Sequence, residues 1–100
     1  MINRIVKLEF KEENISDFFS LFEQIKSFVN EFPGCYGMKL YHSLDNPSII
    51  ITYSCWNSEE SLNNYRKSKT FRETWSKIKP WFKKKPNAWS MYEHFNGFKK

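Results

Sequence analysis

Between Trp56 and Trp75 the sequence WNSEESLNNYRKSKTFRETW ends one element, caps a helix and spaces large rings along it. Trp56, Tyr65, Phe71 and Trp75 would wall a small apolar pocket, with Trp81 a further wall residue. Tyr65 and Trp75 carry polar ends, and a buried phenol or indole N–H needs a partner. Tyr65 could hydrogen-bond a phenol or carbonyl oxygen of a ligand and pass on a proton. Asn3 could donate from its amide to a bound oxygen. That chemistry orients a planar compound and stabilises developing negative charge on oxygen. The structural alternatives are that the rings simply form core and that Asn3 is a solvated residue at the start of the chain.

Other chemistries have no counterpart. With 3 Gly in all, no glycine-rich phosphate loop is present, and there is no HExxH. His42 and His94 fall in separate segments without clustered carboxylates or thiols, which reads as structural or surface histidine; His42 could titrate near neutrality if a pocket reached it. No base and orienting acid accompany a serine. Cys35 and Cys55 are too far apart for a CxxC motif and read as reduced, partly buried thiols. No cofactor and no metal are expected.

The elements that must hold these residues follow from periodicity. Residues Ile2 to Lys11 alternate, with Val6, Leu8 and Phe10 on one face and Asn3, Ile5, Lys7 and Glu9 on the other, as in a half-buried strand. Ile15, Phe18, Phe22, Ile25, Val29 and Phe32 recur at helical spacing after Asn14, and Pro33-Gly34 ends that helix. Cys35–Ser43 and Ser48–Trp56 are strands of a hairpin around Leu44-Asp45-Asn46-Pro47. A helix follows, capped by Asn57 or Ser58, with Glu60 placed to complete a box from Asn57. Polar Lys67–Thr70 breaks it before a second helical stripe of Phe71, Trp75 and Ile78, which Pro80 stops. Lys83-Lys84-Lys85-Pro86 reads as a loop, Ala88–Phe95 as the last strand and Asn96–Lys100 as a tail. The order β-α-β-β-α-β predicts one α+β domain over residues 1–100, ferredoxin-like with an antiparallel sheet.

Helices would cover one face of that sheet. Ile49, Ile51 and Tyr53 alternate with Ile50, Thr52 and Ser54, which leaves neither face of the third strand strongly polar, so the open face needs a partner and a homodimer packed sheet to sheet is expected. A chain of 100 residues buries only about two-thirds of its unfolded surface, and an aromatic content of 19% exceeds what so small a core requires. The surplus rings are expected at an interface or a cavity. The net charge of +5 is concentrated in lysine runs of the kind found in solvated loops and tails, and no nucleic-acid motif accompanies it. The Met1-Ile2-Asn3-Arg4-Ile5 start lacks a signal peptide's apolar core, and no apolar run nears the roughly 18 residues of a membrane span. A cytoplasmic protein that uses no membrane is expected.

Over Ile2 to Phe95 the chain resembles the antibiotic biosynthesis monooxygenase family of dimeric α+β barrels. The resemblance is carried by Asn3-Arg4-Ile5, by Phe32-Pro33-Gly34-Cys35-Tyr36-Gly37, by Trp56-Asn57-Ser58-Glu59-Glu60 and by Tyr65-Arg66-Lys67-Ser68-Lys69-Thr70-Phe71. It implies a cofactor-independent monooxygenase acting with molecular oxygen on a small aromatic, polycyclic phenol or quinol-type compound. In such enzymes the deprotonated substrate itself supplies the electrons while the protein orients and desolvates it. The family's haem-degrading branch places an Asn, a Trp and an axial His where this chain has Asn3, Tyr65 and Trp75; indole cannot ligate iron, so haem degradation is not implied. Against an enzyme stands a non-enzymatic dimeric barrel that binds a small hydrophobic ligand or serves a structural role. An open cavity with Asn3 and Tyr65 converging on it would favour the enzyme.

Overall fold

The computed structural model describes residues 1–99. Alternating residues form the strand β1 (Ile2–Phe10), and a short 3-10 turn leads into the helix α1 (Ile15–Asn30). The strands β2 (Cys35–His42) and β3 (Ile49–Trp56) follow, then the helices α2 (Glu59–Arg66) and α3 (Lys69–Ile78) and the strand β4 (Phe82–Met91). The sheet order is β2-β3-β1-β4, with every pairing antiparallel. This is the α+β, ferredoxin-like arrangement expected from the element order. No helix among the described residues is long and apolar enough to cross a membrane.

Serines set the two C-terminal helices. Ser58 Oγ accepts from the N–H of Ser61 at 3.1 Å, and Ser68 Oγ from that of Phe71 at 3.2 Å. Each cap satisfies an N–H that the helix leaves open, worth about 1 kcal/mol. The cap of α2 is therefore Ser58, and no Asn57–Glu60 box forms: the Asn57 N–H is bonded to the Gly34 carbonyl at 2.8 Å instead. Asn14 precedes α1 without capping its backbone; its amide donates to Asp17 Oδ2 at 2.9 Å.

Gly34 pins α2 to the turn between α1 and β2. Its φ is +91°, and a Cβ there would overlap the Ser61 side chain. Gly34→Ala is expected to cost about 2–4 kcal/mol, combining left-handed strain with overpacking at α2. Urea unfolding of the two proteins checks this, and a loss below about 1 kcal/mol would contradict it.

The last strand departs from expectation at both ends. Lys83-Lys84-Lys85-Pro86 belongs to β4 rather than to a loop. Its pairing with β1 slips between Lys7↔Asn87 and Glu9↔Lys84, so β4 bulges around Lys85 and Pro86. An edge strand with a bulge tolerates a residue without an N–H, and exposed lysines discourage further strand pairing there. Lys84 also stands 4.0 Å from the buried Glu9 carboxylate. At the other end β4 stops at Met91, which pairs with Asn3; β1 offers almost nothing beyond that, so Tyr92–Phe95 form no strand. Residues 96–99 carry no element, and Lys100, the end of the expected tail, lies outside the described residues.

Two apolar clusters occupy opposite ends of the helix-covered face. One joins Leu8, Phe10 and Ile50 to Phe18 and Leu21 of α1 and Ile78 of α3. Phe10 stacks between Phe18 (ring centroids 4.6 Å) and Phe82 (5.2 Å). The other cluster joins Ile2, Trp56 and Leu62.

Candidate functional site

The two clusters do not meet, and the reason lies in the strands. On the helix side of β1 the order is Ile2, Arg4, Val6, Leu8, Phe10; on β3 it is Trp56, Ser54, Thr52, Ile50. Between the apolar ends Arg4 pairs with Ser54 and Val6 with Thr52, so Val6 is the one apolar side chain of those four. These side chains leave a cavity of about 360 Å³ between the sheet and the helices. Pockets that hold small molecules span about 300–1,000 Å³, so this one suits a compact ligand. Phe18, Phe22 and Ile25 of α1 close one side; Tyr65, Phe71 and Trp75 close another.

Tyr65 is the pivot of this second wall. Its ring stacks on Trp56 at 5.1 Å, meets Phe71 edge to face at 5.1 Å and Phe32 likewise at 5.5 Å. Phe71 in turn lies nearly parallel to Trp75 at 5.8 Å. The ring is thus held on several sides, while the hydroxyl has no hydrogen-bond partner among the described residues. Burial first, and then the nearby Cys35 thiol, push its pKa up to about 12. At neutral pH the Tyr65 hydroxyl is therefore a proton-bearing donor and not a base.

Of the residues singled out from the sequence, Tyr65, Phe71 and Trp75 meet at the cavity, and Asn3, Trp56 and Trp81 do not line it. Asn3 is on the opposite, helix-free face, one residue out of phase with Arg4. Its carboxamide oxygen accepts from the Tyr53 hydroxyl at 2.9 Å and from the Cys55 thiol at 3.2 Å. The expected convergence of Asn3 with Tyr65 is therefore not found. Trp56 is fully buried behind Tyr65, with its indole N–H donating to Ser54 Oγ at 2.9 Å. Trp81 packs against the first cluster at the far end of the sheet.

Sequence reasoning missed Arg4, Arg66, Thr52, Ser54 and Thr74, polar residues that also line the cavity. Arg4 was detectable, since period-2 alternation puts it on the face of Val6, Leu8 and Phe10. Its Nη1 donates to Ser90 Oγ of β4 at 3.0 Å. Among the described residues no His, Asp or Glu belongs to the cavity wall. His42 is exposed on β2 against Phe19, and among the described residues no three His, Cys, Asp or Glu side chains gather as a metal site. A haem would meet Trp75 here, with no imidazole to hold its iron.

The architecture has close counterparts among solved structures. An antibiotic biosynthesis monooxygenase superposes with a TM-score of 0.88 at 16% identity, covering 93% of this chain and 98% of the other. A conserved protein from Methanosarcina mazei Go1 gives 0.85 at 23% identity, covering 90% and 89%. SnoaB, a cofactor-independent oxygenase from Streptomyces nogalater, gives 0.84 at 10% identity, covering 96% and 95%. At these identities the likeness is one of fold. No curated protein sequence matches the chain. The family model for antibiotic biosynthesis monooxygenase matches residues 1–76, which include β1 through most of α3 and the Tyr65, Phe71 and Trp75 wall. The chain belongs to the antibiotic biosynthesis monooxygenase family.

Proposed function

We propose that the protein is a cofactor-independent monooxygenase that holds a small aromatic or quinol-type compound between Trp75, Phe71 and the sheet and lets it react with molecular oxygen. The observation that carries this is the unpartnered Tyr65 hydroxyl at an aromatic-walled cavity of about 360 Å³. For an anthrone-type substrate the ring CH₂ becomes a carbonyl. One oxygen atom enters that carbonyl and the other leaves as water, so the carbon gives up the four electrons that O₂ takes. Tyr65 donates to the oxygen on which charge develops, and the rings hold the reacting plane away from water.

The test is oxygen uptake with a reduced anthrone, against Tyr65→Phe and a protein-free control. Uptake above the control is expected to fall roughly tenfold to hundredfold in the variant. Because Tyr65 keeps its proton up to about pH 12, any limb of the pH profile below pH 10 is expected to survive the substitution. Equal uptake by both proteins would remove Tyr65 from the reaction.

A second reading is a ligand-binding dimer without turnover, favoured by the lack of an acidic or imidazole group in the cavity wall to take the substrate's proton. Aromatic binding with no uptake above the control would select it.

In either reading the protein acts as a homodimer joined through the helix-free face. Ile5, Ile51 and Tyr53 project there with Tyr41, Trp89 and Met91, which are 49%, 48% and 46% exposed. A contiguous face of this kind on a small protein is what a second copy covers.

A further inference from the structure

The cavity is largely apolar, yet two arginines line it, Arg4 in the middle of β1 and Arg66 at the end of α2. Each has a local explanation. Arg66 lies in the last turn of α2, where a cation complements the helix dipole. Arg4 gives one N–H to Ser90. Neither explanation accounts for both arginines lining the same space without a counter-charge. Among the described residues no carboxylate lines the cavity and neither arginine is in an ion pair. Burial, and then the charge of Arg66, hold the Arg4 guanidinium below its ordinary range, so the two cations sense each other.

Placing an arginine mid-strand in the core-facing row, with a like charge nearby, is unfavourable until an anion arrives. A guanidinium fork matches a carboxylate with two parallel hydrogen bonds, and it does so best where water is excluded. We infer that the ligand of this cavity is an aromatic carboxylate, its ring plane against Phe71 and Trp75 and its carboxylate on Arg4 and Arg66. This rests on the cavity being the ligand site and narrows the substrate from any small aromatic to an anionic one. It also gives a physical reason for the cavity's lack of acidic groups: two cations, rather than a general base, would favour loss of the substrate's proton.

The experiment is isothermal titration calorimetry with two probes of the same shape, 2-naphthoate and the neutral 2-naphthamide, on the full chain. The native protein is expected to bind naphthoate at least roughly tenfold more tightly, as for hydrogen bonds to charged groups. Arg4→Gln and Arg66→Gln are each expected to bring naphthoate down toward naphthamide, which loses far less because its carbonyl accepts without bearing charge. Retained naphthamide binding also reports that the variant is folded. Arg66 is exposed, so its variant carries the test if Arg4→Gln does not fold. Trp75→Ala is expected to weaken both probes alike, tying them to this cavity. Equal affinities in the native protein would overturn the anion site and leave the pocket standing. A naphthoate preference that persists in both arginine variants would overturn it as well, placing the charge recognition on the lysines. Binding of neither probe would overturn both the anion site and the pocket.

Discussion

Trp56→Ala is expected to remove about 3–5 kcal/mol of folding stability, as truncation of a buried ring does. For a domain of this length that lowers the melting temperature by roughly 15–30 °C. Trp56 is fully buried among Ile2 and Leu62, with Phe32 and Tyr65 packed on it. Its indole N–H is matched by Ser54 Oγ at 2.9 Å. Truncation would lose the apolar burial, leave a void behind Tyr65 and deprive Ser54 of its partner. Ser54→Ala would be milder, about 1–3 kcal/mol, because the packing survives and only the indole donor is stranded. Thermal unfolding followed by circular dichroism at one protein concentration decides it, since a dimer's melting point shifts with concentration. A loss below about 1 kcal/mol for Trp56→Ala would mean that this ring is not the anchor of the second cluster. The contrast with Trp75 is functional: Trp75 faces the cavity, so its removal is read in ligand affinity, whereas that of Trp56 is read in the melting curve.

Ile51→Glu is expected to convert a dimer into a monomer at micromolar concentration, weakening association by a factor of a hundred to a thousand or more. Ile51 lies on the central strand β3 and pairs with Lys7 on one side and Tyr41 on the other, in the middle of the helix-free face. In a two-fold interface the substitution occurs twice, and each carboxylate would be taken from water without a partner at a cost of several kcal/mol. Sedimentation equilibrium of the native protein and the variant measures it. A monomeric native protein, or a variant that stays dimeric, would remove this face as the interface. Because the cavity is walled by the helix side of one chain, the monomeric variant is expected to keep its ligand affinity. Coupled loss of both would show that the partner braces the site.

The helix-forming stripe of Phe18, Phe22, Ile25 and Val29 and the alternation of Val6, Leu8 and Phe10 could be read directly, because each reflects a local period of side-chain direction. A break between α2 and α3 was legible from the polar residues after Arg66, although it is only Lys67 and Ser68, with Lys69 and Thr70 opening α3, and which residue caps each helix was not legible. Ser58 rather than Asn57 caps α2 because the Asn57 backbone is committed to Gly34, a contact between segments far apart in the chain. The Lys83–Pro86 segment looked like a loop because lysine and proline are poor strand formers, and it became strand because β1 had an open edge for it to pair with.

The site divides along the same line. The aromatic spacing of Tyr65, Phe71 and Trp75 in the linear order of residues was enough to place three rings on the faces of two consecutive helices, and the element order was enough to name the fold. Whether those rings enclose empty space depends on what opposes them across the sheet. Arg4 pairing with Ser54, and Val6 with Thr52, puts one apolar side chain among four in the middle of the face. Phase was legible in part: alternation puts Arg4 on the face of Val6, Leu8 and Phe10, and a single-residue step puts Asn3 on the opposite face. Local periodicity carries no information about how closely two clusters will approach or whether space stays open between them. Those were settled by long-range packing, which is why the rings and the face of Arg4 could be read from the chain and the cavity between them could not.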